Sequence, residues 1–478
     1  MNLFWHRRDL RLRDNRGLAL AASDDDVLPV FVFDDGLLRQ TGERQRAFFF
    51  AGLDALREAY RVRGSDLLVR RGEPARALAA VREAVDADTV YYNCHYEPAR
   101  YNRERRVDRR FPTVAATDVV LVDPADLDSS YASHSQFYDD WTAQPKPGPV
   151  AEPDTDRLVD PGAHAVESGA EVPTVETDVE LPPAGYDAAR ERYDRFLDGG
   201  IESYADTRDD LSAAVARPVG AVSRMSPYLA AGMIGIREVW QDATDRYEAV
   251  AIGENGATAG DSDATTGDGD AARNVEKYRY ELSWREANYH LLASDPGLLS
   301  KNHREFPNPI AWRNDETDFA AWKRGETGYP LVDAGMRQLE REGYVHNRPR
   351  QVVASFLTKH LLVDWRKGAR HFEQQLLDHD PAVNYGNWQW VASTGTDTVD
   401  VRIFDPVAQM DRYDPDADYV REYVHGLQDV PSEKAVEWPT LDAAERERLA
   451  PDYPGPIVDR DRAYERAKRV FETALGKR

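Results

Sequence analysis

One cysteine, Cys94, in a chain of 478 residues excludes an internal disulfide framework, and no Cys/His spacing or HExxH run offers a metal site. No apolar run approaches the roughly 20 residues that span a membrane, and the start "MNLFWHRRDLRLRDNRG" lacks the apolar core of a secretory signal. A cytoplasmic protein with no membrane partner is expected. Any redox chemistry then needs an organic cofactor. Neither GxGxxG nor GxxxxGK[ST] follows a strand-like run, so neither a Rossmann dinucleotide site nor a P-loop is supported. Positive charge is short as well: the formal net charge is −24 and lysine is scarce beside arginine.

Such acidity argues at first against nucleic acid, which usually leaves a basic footprint on its partner. The acids, however, fall in short clusters along the whole chain ("SDDD", "DPDADY", "GDSDATTGDGD"), the surface expected in a salt-rich, halophilic cell. A local basic patch is still possible. From Arg337 to Arg370 cations outnumber anions ("RQLEREGYVHNRPRQVVASFLTKHLLVDWRKGAR"), a first hint of a polyanionic partner.

What is present divides the chain. Over residues 1–135, the apolar runs "NLFWH", "VLPVFVFD", "DLLVRRG", "TVYYN" and "VVLVD" alternate with the helical patterns "RQRAFFFAGLDALREAYRVRG" and "PARALAAVREAVDA". That alternation predicts an α/β domain with a parallel, Rossmann-like sheet. Residues 136–185 are rich in Pro, Gly and acids and read as a linker. Residues 186–478 are helical in pattern, interrupted at 253–271 by "GENGATAGDSDATTGDGDA", an expected disordered insertion.

Six of the ten tryptophans lie between 284 and 390: Trp284, Trp312, Trp322, Trp365, Trp388 and Trp390. Any one alone is most simply core packing, but Trp284, Trp365 and Trp388 sit beside charged or amide groups suited to a polar ligand with an aromatic face. In "NYGNWQWVAS", Trp388 and Trp390 are two apart, so on a helix they point about 200° away from each other. One is expected to face an aromatic chain and the other a cavity. In "VSRMSPYLAAG", Ser226 reads as an N-cap with Pro227 at the first helical position, and the free N–H groups there, with Ser223 and Arg224, suit a phosphate. Arg350 of "HNRPRQ" and Asp378 of "LLDHDPAVN" can form a buried pair that also binds a heterocycle, with Asn384 offering an amide to a ring nitrogen. A solvated arginine and a surface turn fit the spacing equally well.

"LFWHRRDLRLRDN", "SRMSPYLAAG", "ELSWREANYH", "TGYPLVDAGMRQL", "HNRPRQVVASFLTKHLLVDW" and "NYGNWQWVASTGTD" together resemble the photolyase/cryptochrome family, most closely its class I cyclobutane dimer photolyases. The resemblance implies a helical domain that holds FAD in a U shape, reduced to its anion and excited by blue light, so that an electron passes to a pyrimidine dimer, splits it and returns. UV-damaged DNA would be the partner and a monomer the working form. By position, Tyr204, Ser223, Arg224, Met225 and Ser226 would hold the phosphates and ribityl chain, while Arg350, Asp378, Asp380 and Asn384 would lie along the isoalloxazine. Trp388, Trp365 and Trp312 would form a row that carries an electron inward. Trp390 and Trp284 would embrace the flipped dimer; Glu281, Asn347 and Arg348 would contact it, Gln351 would stand against it, and Arg208 with the basic stretch would grip phosphates.

These residue types suit that chemistry. Tryptophan is the neutral side chain most easily oxidised, so a spaced row passes an electron where Leu or Phe would insulate. Glu281 can hydrogen-bond the polar edges of the dimer and steady developing charge. Base flipping is established for photolyases as a class; an already poorly stacked dimer costs less to extrude than a normal pair. Gln351, where class I enzymes have methionine, and "NYGNW" resemble the DASH cryptochromes, whereas Trp390 is the photolyase choice. Val222 replaces the usual Thr of the phosphate motif. A DASH-type or (6-4) enzyme and a blue-light sensor without repair are the alternatives. "YNCHYEPARYNRERR" lacks the Asn-Glu pair of folate-binding members, so an antenna chromophore, if held, is expected to be 8-hydroxy-5-deazaflavin.

Overall fold

The computed structural model describes residues 1–128, 131, 133–166, 168–256 and 268–478. Its amino-terminal part is a five-stranded sheet in the order β3-β2-β1-β4-β5. The strands are β1 (Asn2–His6), β2 (Val27–Phe33), β3 (Leu68–Arg71), β4 (Val90–Asn93) and β5 (Thr113–Ala116), and every pairing is parallel. Helices α1 (Arg16–Asp24), α2 (Glu43–Val62), α3 (Pro74–Val85) and α4 (Pro98–Asp108) lie between them. β1 and β2 are buried along their whole length, so they read as continuous apolar runs without alternation.

One expected strand is misplaced. "VVLVD" is not in the sheet; the fifth strand is the less apolar "TVAA" just before it. Val120 is buried because it packs with Tyr289 and Leu292 of the helical part, and the Leu121 N–H donates to Glu286 Oε2 at 2.8 Å instead of to a ladder. An apolar run under a neighbouring domain has the same composition as a strand.

The boundary expected at 135/136 falls inside α5 (His134–Ala143). The stretch read as a linker is a strap pinned across the first domain: Leu158 bridges to Val27, Ser65 Oγ donates to the Val159 carbonyl at 2.7 Å, and Arg44 pairs with Asp178 at 2.7 Å. After α5, proline and acids leave its described residues without a further α-helix or sheet strand before residue 186, but its bonds are specific.

The remainder is helical, as expected. It includes α6 (Tyr186–Gly199), α7 (Ser226–Ala231), α8 (Ile236–Gly256), α9 (Asp268–Ser294), α10 (Pro330–Glu342), α11 (Asn347–Ser355), α12 (Trp365–Gln375), α13 (Pro381–Ala392) and α14 (Arg460–Ala474). Of the expected disordered insertion, residues 257–267 lie outside the described residues. Its flanks are helical, since α8 runs to Gly256 and α9 starts at Asp268.

The two parts are joined by buried charge. Arg237, 0% exposed, donates to Asp14 at 2.7 Å and to Asp118, which Arg11 also binds. Arg8, just after β1, reaches Asp380 at 2.8 Å and the Ala230 carbonyl at 2.7 Å. These pairs fix how the helical part, and the cavity in it, sits on the sheet.

Candidate active site

Helices α11 and α13, with Ser226 of α7 and the loop before α11, enclose a space of about 760 Å³, part of it open to solvent. Its apolar lining is Val345, Ala354, Val383, Val391, Trp388 and Trp390; its polar lining includes Asn347, Arg350, Gln351, Asp378, Asn384 and Asn387. A cavity of this size with a few convergent polar groups is the usual form of a cofactor site.

The Arg350–Asp378 pair foreseen from the spacing is present at 3.1 Å. Asp378 is buried and also accepts from Ser226 Oγ at 2.6 Å. Asn384 donates from Nδ2 to the Ala369 carbonyl at 3.1 Å, which leaves its Oδ1 as an acceptor. A carboxylate, a guanidinium and an amide oxygen on a flat apolar wall match a heterocycle with alternating donors and acceptors. The Nε2 of buried His346 has no partner among the described residues, nor does Nδ1 of buried His379. Burial, with Arg224, Arg348 and Arg208 nearby, holds His346 down to about 3, so it stays neutral. Nothing in the sequence singled out either histidine.

Asp380, Met225, Arg224 and Tyr204, expected at the cofactor, are not in the lining of this cavity. Asp380 does not line the cavity: it caps α13 and pairs with Arg8, and Tyr289 OH donates to it. Ser226 is not the cap of α7; Met225 is, with no side-chain bond, because the Ser226 hydroxyl is spent on Asp378. Met225 is buried in the core, and Arg224, at φ 49°, turns back to Glu342 at 3.0 Å over the Tyr344 ring. Tyr204 packs edge-on against Phe196 and Tyr278.

The three tryptophans expected to form a row have different settings. Trp388 lines the cavity and meets Phe372 at 5.1 Å between ring centroids and Trp322 at 6.3 Å. Trp365, fully buried, opens α12, and Trp312 is half-buried beside Phe471. Two details draw the series together. A Cβ on Gly368 would stand 2.3 Å from Trp388, so only glycine lets the α13 indole press onto α12. Arg313, next to Trp312, donates its N–H to the Leu362 carbonyl at 2.7 Å, three residues before Trp365. Trp322, not singled out for a role, is buried against both Phe372 and Trp388.

Trp390, in the cavity lining, faces Trp284, which lies outside that lining, edge-on, with centroids 6.2 Å apart and planes at 75°. Trp388 and Trp390 do meet different partners, but both reach the one cavity, which wraps a wider face of α13 than a single stripe. Gln351 accepts from Arg348 at 2.9 Å, and Arg348 also pairs with Asp209 at 2.8 Å. Glu281 is held by Arg208 at 2.5 Å and Lys277 at 2.7 Å. Arg208 therefore faces a carboxylate rather than solvent.

The basic stretch is also largely spent. Arg341 pairs with Glu422, Arg350 with Asp378, Arg366 with Asp364 and Lys367 with Glu316, while Lys359 is buried against the Ala392 carbonyl. A count of charges along the sequence cannot see the acids that the fold brings to each cation.

A second cavity, of about 870 Å³, opens at the carboxyl ends of β1 and β2, the usual ligand edge of a parallel sheet. Trp5, Phe31, Phe33 and Phe48 to Phe50 line it, with Arg46, Arg100 and Arg103 among its polar groups.

Residues 2–154 match the DNA photolyase family and residues 278–473 the FAD binding domain of DNA photolyase. The deoxyribodipyrimidine photo-lyase of Halobacterium salinarum is 41% identical, with all of both chains aligned. The chain belongs to the photolyase/cryptochrome family. Among solved structures, the class III photolyase of Agrobacterium tumefaciens superposes with a TM-score of 0.81 at 31% identity, over 100% of this chain and 98% of that one. The archaeal photolyase of Sulfolobus tokodaii, solved with two FAD molecules, gives 0.77 at 28% identity, over 99% and 100%. This photolyase-family chain thus carries an FAD-binding domain, and the Asp378–Arg350 pair, Asn384 and Trp388 lie together around the cavity in its helical part.

Proposed function

We propose that this chain splits cyclobutane pyrimidine dimers in DNA under blue light. The observation that carries the reading is the placement of three functions on one helix. Asn384 of α13 lies in the cavity, Trp388 connects it to the buried aromatics, and Trp390, in the same lining, faces Trp284. A sensor would need the first two and has no use for the third.

Asp378, Arg350, Asn384 and Trp388 would hold FAD, which as its reduced anion under blue light would lend the dimer an electron that returns once the ring is split. The chain does the rest. Asp378, kept in place by Arg350 and Ser226, and Asn384 orient the ring edge; Tyr204, Ser223 and Arg224 attend the phosphate end, to which Met225 contributes backbone. Trp390 and Trp284 receive the flipped dimer between two apolar planes and exclude water from it. Glu281, released from Arg208 or sharing it, offers a carboxylate to the polar edge of the dimer, with Asn347, Arg348 and Gln351 around it. Trp312, Trp365 and Trp388 would relay electrons inward from an external reductant to an oxidised flavin. In the second cavity we place a flat, acidic antenna of the deazaflavin type, stacked among phenylalanines with arginines at its rim. The acidic surface suits a salt-rich cytoplasm, and nothing in the site requires a second copy.

The test is direct. Photoreduced protein, mixed with an oligonucleotide carrying a cyclobutane dimer or a (6-4) product, is illuminated and the restored thymines are counted against a dark control. Restoration of the cyclobutane substrate is expected, with Trp390→Ala weakening dimer binding. Flavin that reduces normally while neither lesion is split, in single or double strands, would turn the reading to light sensing.

Charge pairing within the basic stretch gives a second expectation. Each phosphate contact contributes a slope of roughly −0.7 to −0.9 in log K against log salt. With most cations already paired, the slope for dimer-bearing DNA should be shallower than about −2, that is, two or three contacts. A slope near −6 in a salt titration would mean that those pairs open on binding.

A further inference from the structure

We propose that His134 is a positioning residue for the lesion: its imidazole, stacked on Trp284, sets the plane that this indole presents to a flipped dimer. The inference rests on the dimer-splitting reading above and adds a residue from the strap side of the molecule. The two rings lie parallel, 6° apart in tilt and 3.7 Å between centroids. No other pair of aromatic rings among the described residues is so closely stacked.

The ring is also locked in rotation. Ser283 Oγ lies 3.0 Å from His134 Nε2 and Tyr280 OH lies 3.1 Å from Nδ1. Ser283 spends its one hydroxyl proton on the Tyr280 carbonyl at 2.7 Å. His134 Nε2 must therefore be the donor to Ser283, and Nδ1 accepts from Tyr280, which fixes a single neutral tautomer. Burial agrees with this, holding the imidazole down to about 4. Tyr280, Ser283 and Trp284 all belong to α9, so the histidine that begins α5 docks into a niche made by one turn of that helix.

The consequence for Trp284 is geometric. One of its faces is covered by His134, and the ring meets Trp390 edge-on at 6.2 Å. An indole with no backing could turn about its side-chain torsions and lose the 75° relation to Trp390 that leaves two differently oriented planes for two adjoining bases. The two matched nitrogens meet the cost of burying the imidazole, and the stacked ring plane is what bears on Trp284.

Two substitutions separate stacking from hydrogen bonding. His134→Gln can keep a donor and an acceptor but has no ring; His134→Phe keeps a flat ring and loses both bonds. Full-length, flavin-loaded protein is titrated in the dark with a single-stranded oligonucleotide containing one thymine cyclobutane dimer, and with its undamaged twin. His134→Gln should raise the dimer Kd about tenfold, the upper range for one aromatic pair. Binding of the undamaged strand, flavin content and the yield of splitting once the dimer is bound should not move. His134→Phe should stay within about twofold of the parent, because the stacked plane is retained. In a Trp284→Ala background, His134→Gln should add nothing. A Gln variant that binds the dimer like the parent, a Phe variant as weak as Gln, or full additivity with Trp284→Ala overturns the proposal. If the Gln variant fails to hold flavin, the Phe variant still decides: near-parental dimer binding supports the stacked plane, and a tenfold loss refutes it. A parent protein that does not prefer the dimer strand defeats the dimer reading itself, which no behaviour of the variants can imitate.

Discussion

Replacing Trp365 by Phe is expected to slow photoreduction of bound flavin at least ~100-fold while leaving repair by chemically reduced protein unchanged. Phenylalanine is far harder to oxidise than tryptophan, and a hop made uphill by only ~3 kcal/mol already costs a factor of about 100 in rate. The fold should tolerate the change. Trp365 is fully buried and Phe fills most of its volume, and the one bond lost, from Nε1 to Asn302 Oδ1 at 3.0 Å, leaves that oxygen with Arg366 at 3.0 Å. The experiment follows the loss of oxidised flavin absorbance under blue light with an external reductant, beside repair after dithionite reduction. Photoreduction within a few-fold of the parent would mean that electrons enter by another route, and Trp322, at 6.3 Å from Trp388, is the neighbour to test next.

The second large effect is on stability. Asp380→Ala should cost roughly 3–5 kcal/mol, because it leaves Arg8, whose side chain is only 10% exposed, without its carboxylate, with about 1 kcal/mol more for the lost cap of α13. The same carboxylate takes the Arg8 guanidinium at 2.8 Å and the Tyr289 hydroxyl, while its other oxygen caps the Val383 N–H at 3.3 Å. Asp380→Asn should retain the cap and lose most of the rest. Burial by itself would raise the Asp380 pKa, but Arg8, Arg285 and the hydrogen bonds from Tyr289 and Val383 outweigh it and bring the group to about 2 from its ordinary 3.8. A depressed carboxylate adds stability above its unfolded pKa and loses it as pH falls toward the folded one, so this contribution should fade between about pH 4 and 2. Urea melts of parent and Asn variant should converge in that window. Parallel curves down to pH 2 would show that the pair contributes nothing. Because α13 carries Asn384, Trp388 and Trp390, flavin content should fall with stability in the Ala variant.

What the sequence determined by itself is local or patterned. Buried parallel strands have to be apolar on both faces, so four of the five strands and the α/β class follow from short apolar runs, and the helical remainder follows from its period. The family motifs are likewise legible, and the Arg350–Asp378 pair and Asn384 that they single out do meet around one cavity. Tertiary structure decided whatever depends on partners far along the chain. "VVLVD" lost its strand to burial under α9, and Asp380 became a domain latch because Arg8, 372 residues away, meets it. The basic stretch lost most of its free charge to acids such as Glu316 and Glu422. His134, an unremarked residue at the edge of an expected linker, became the backing of Trp284. Periodicity records which faces are buried; it carries no record of what each buried or charged group meets across the fold, and that is set only when the chain has closed on itself.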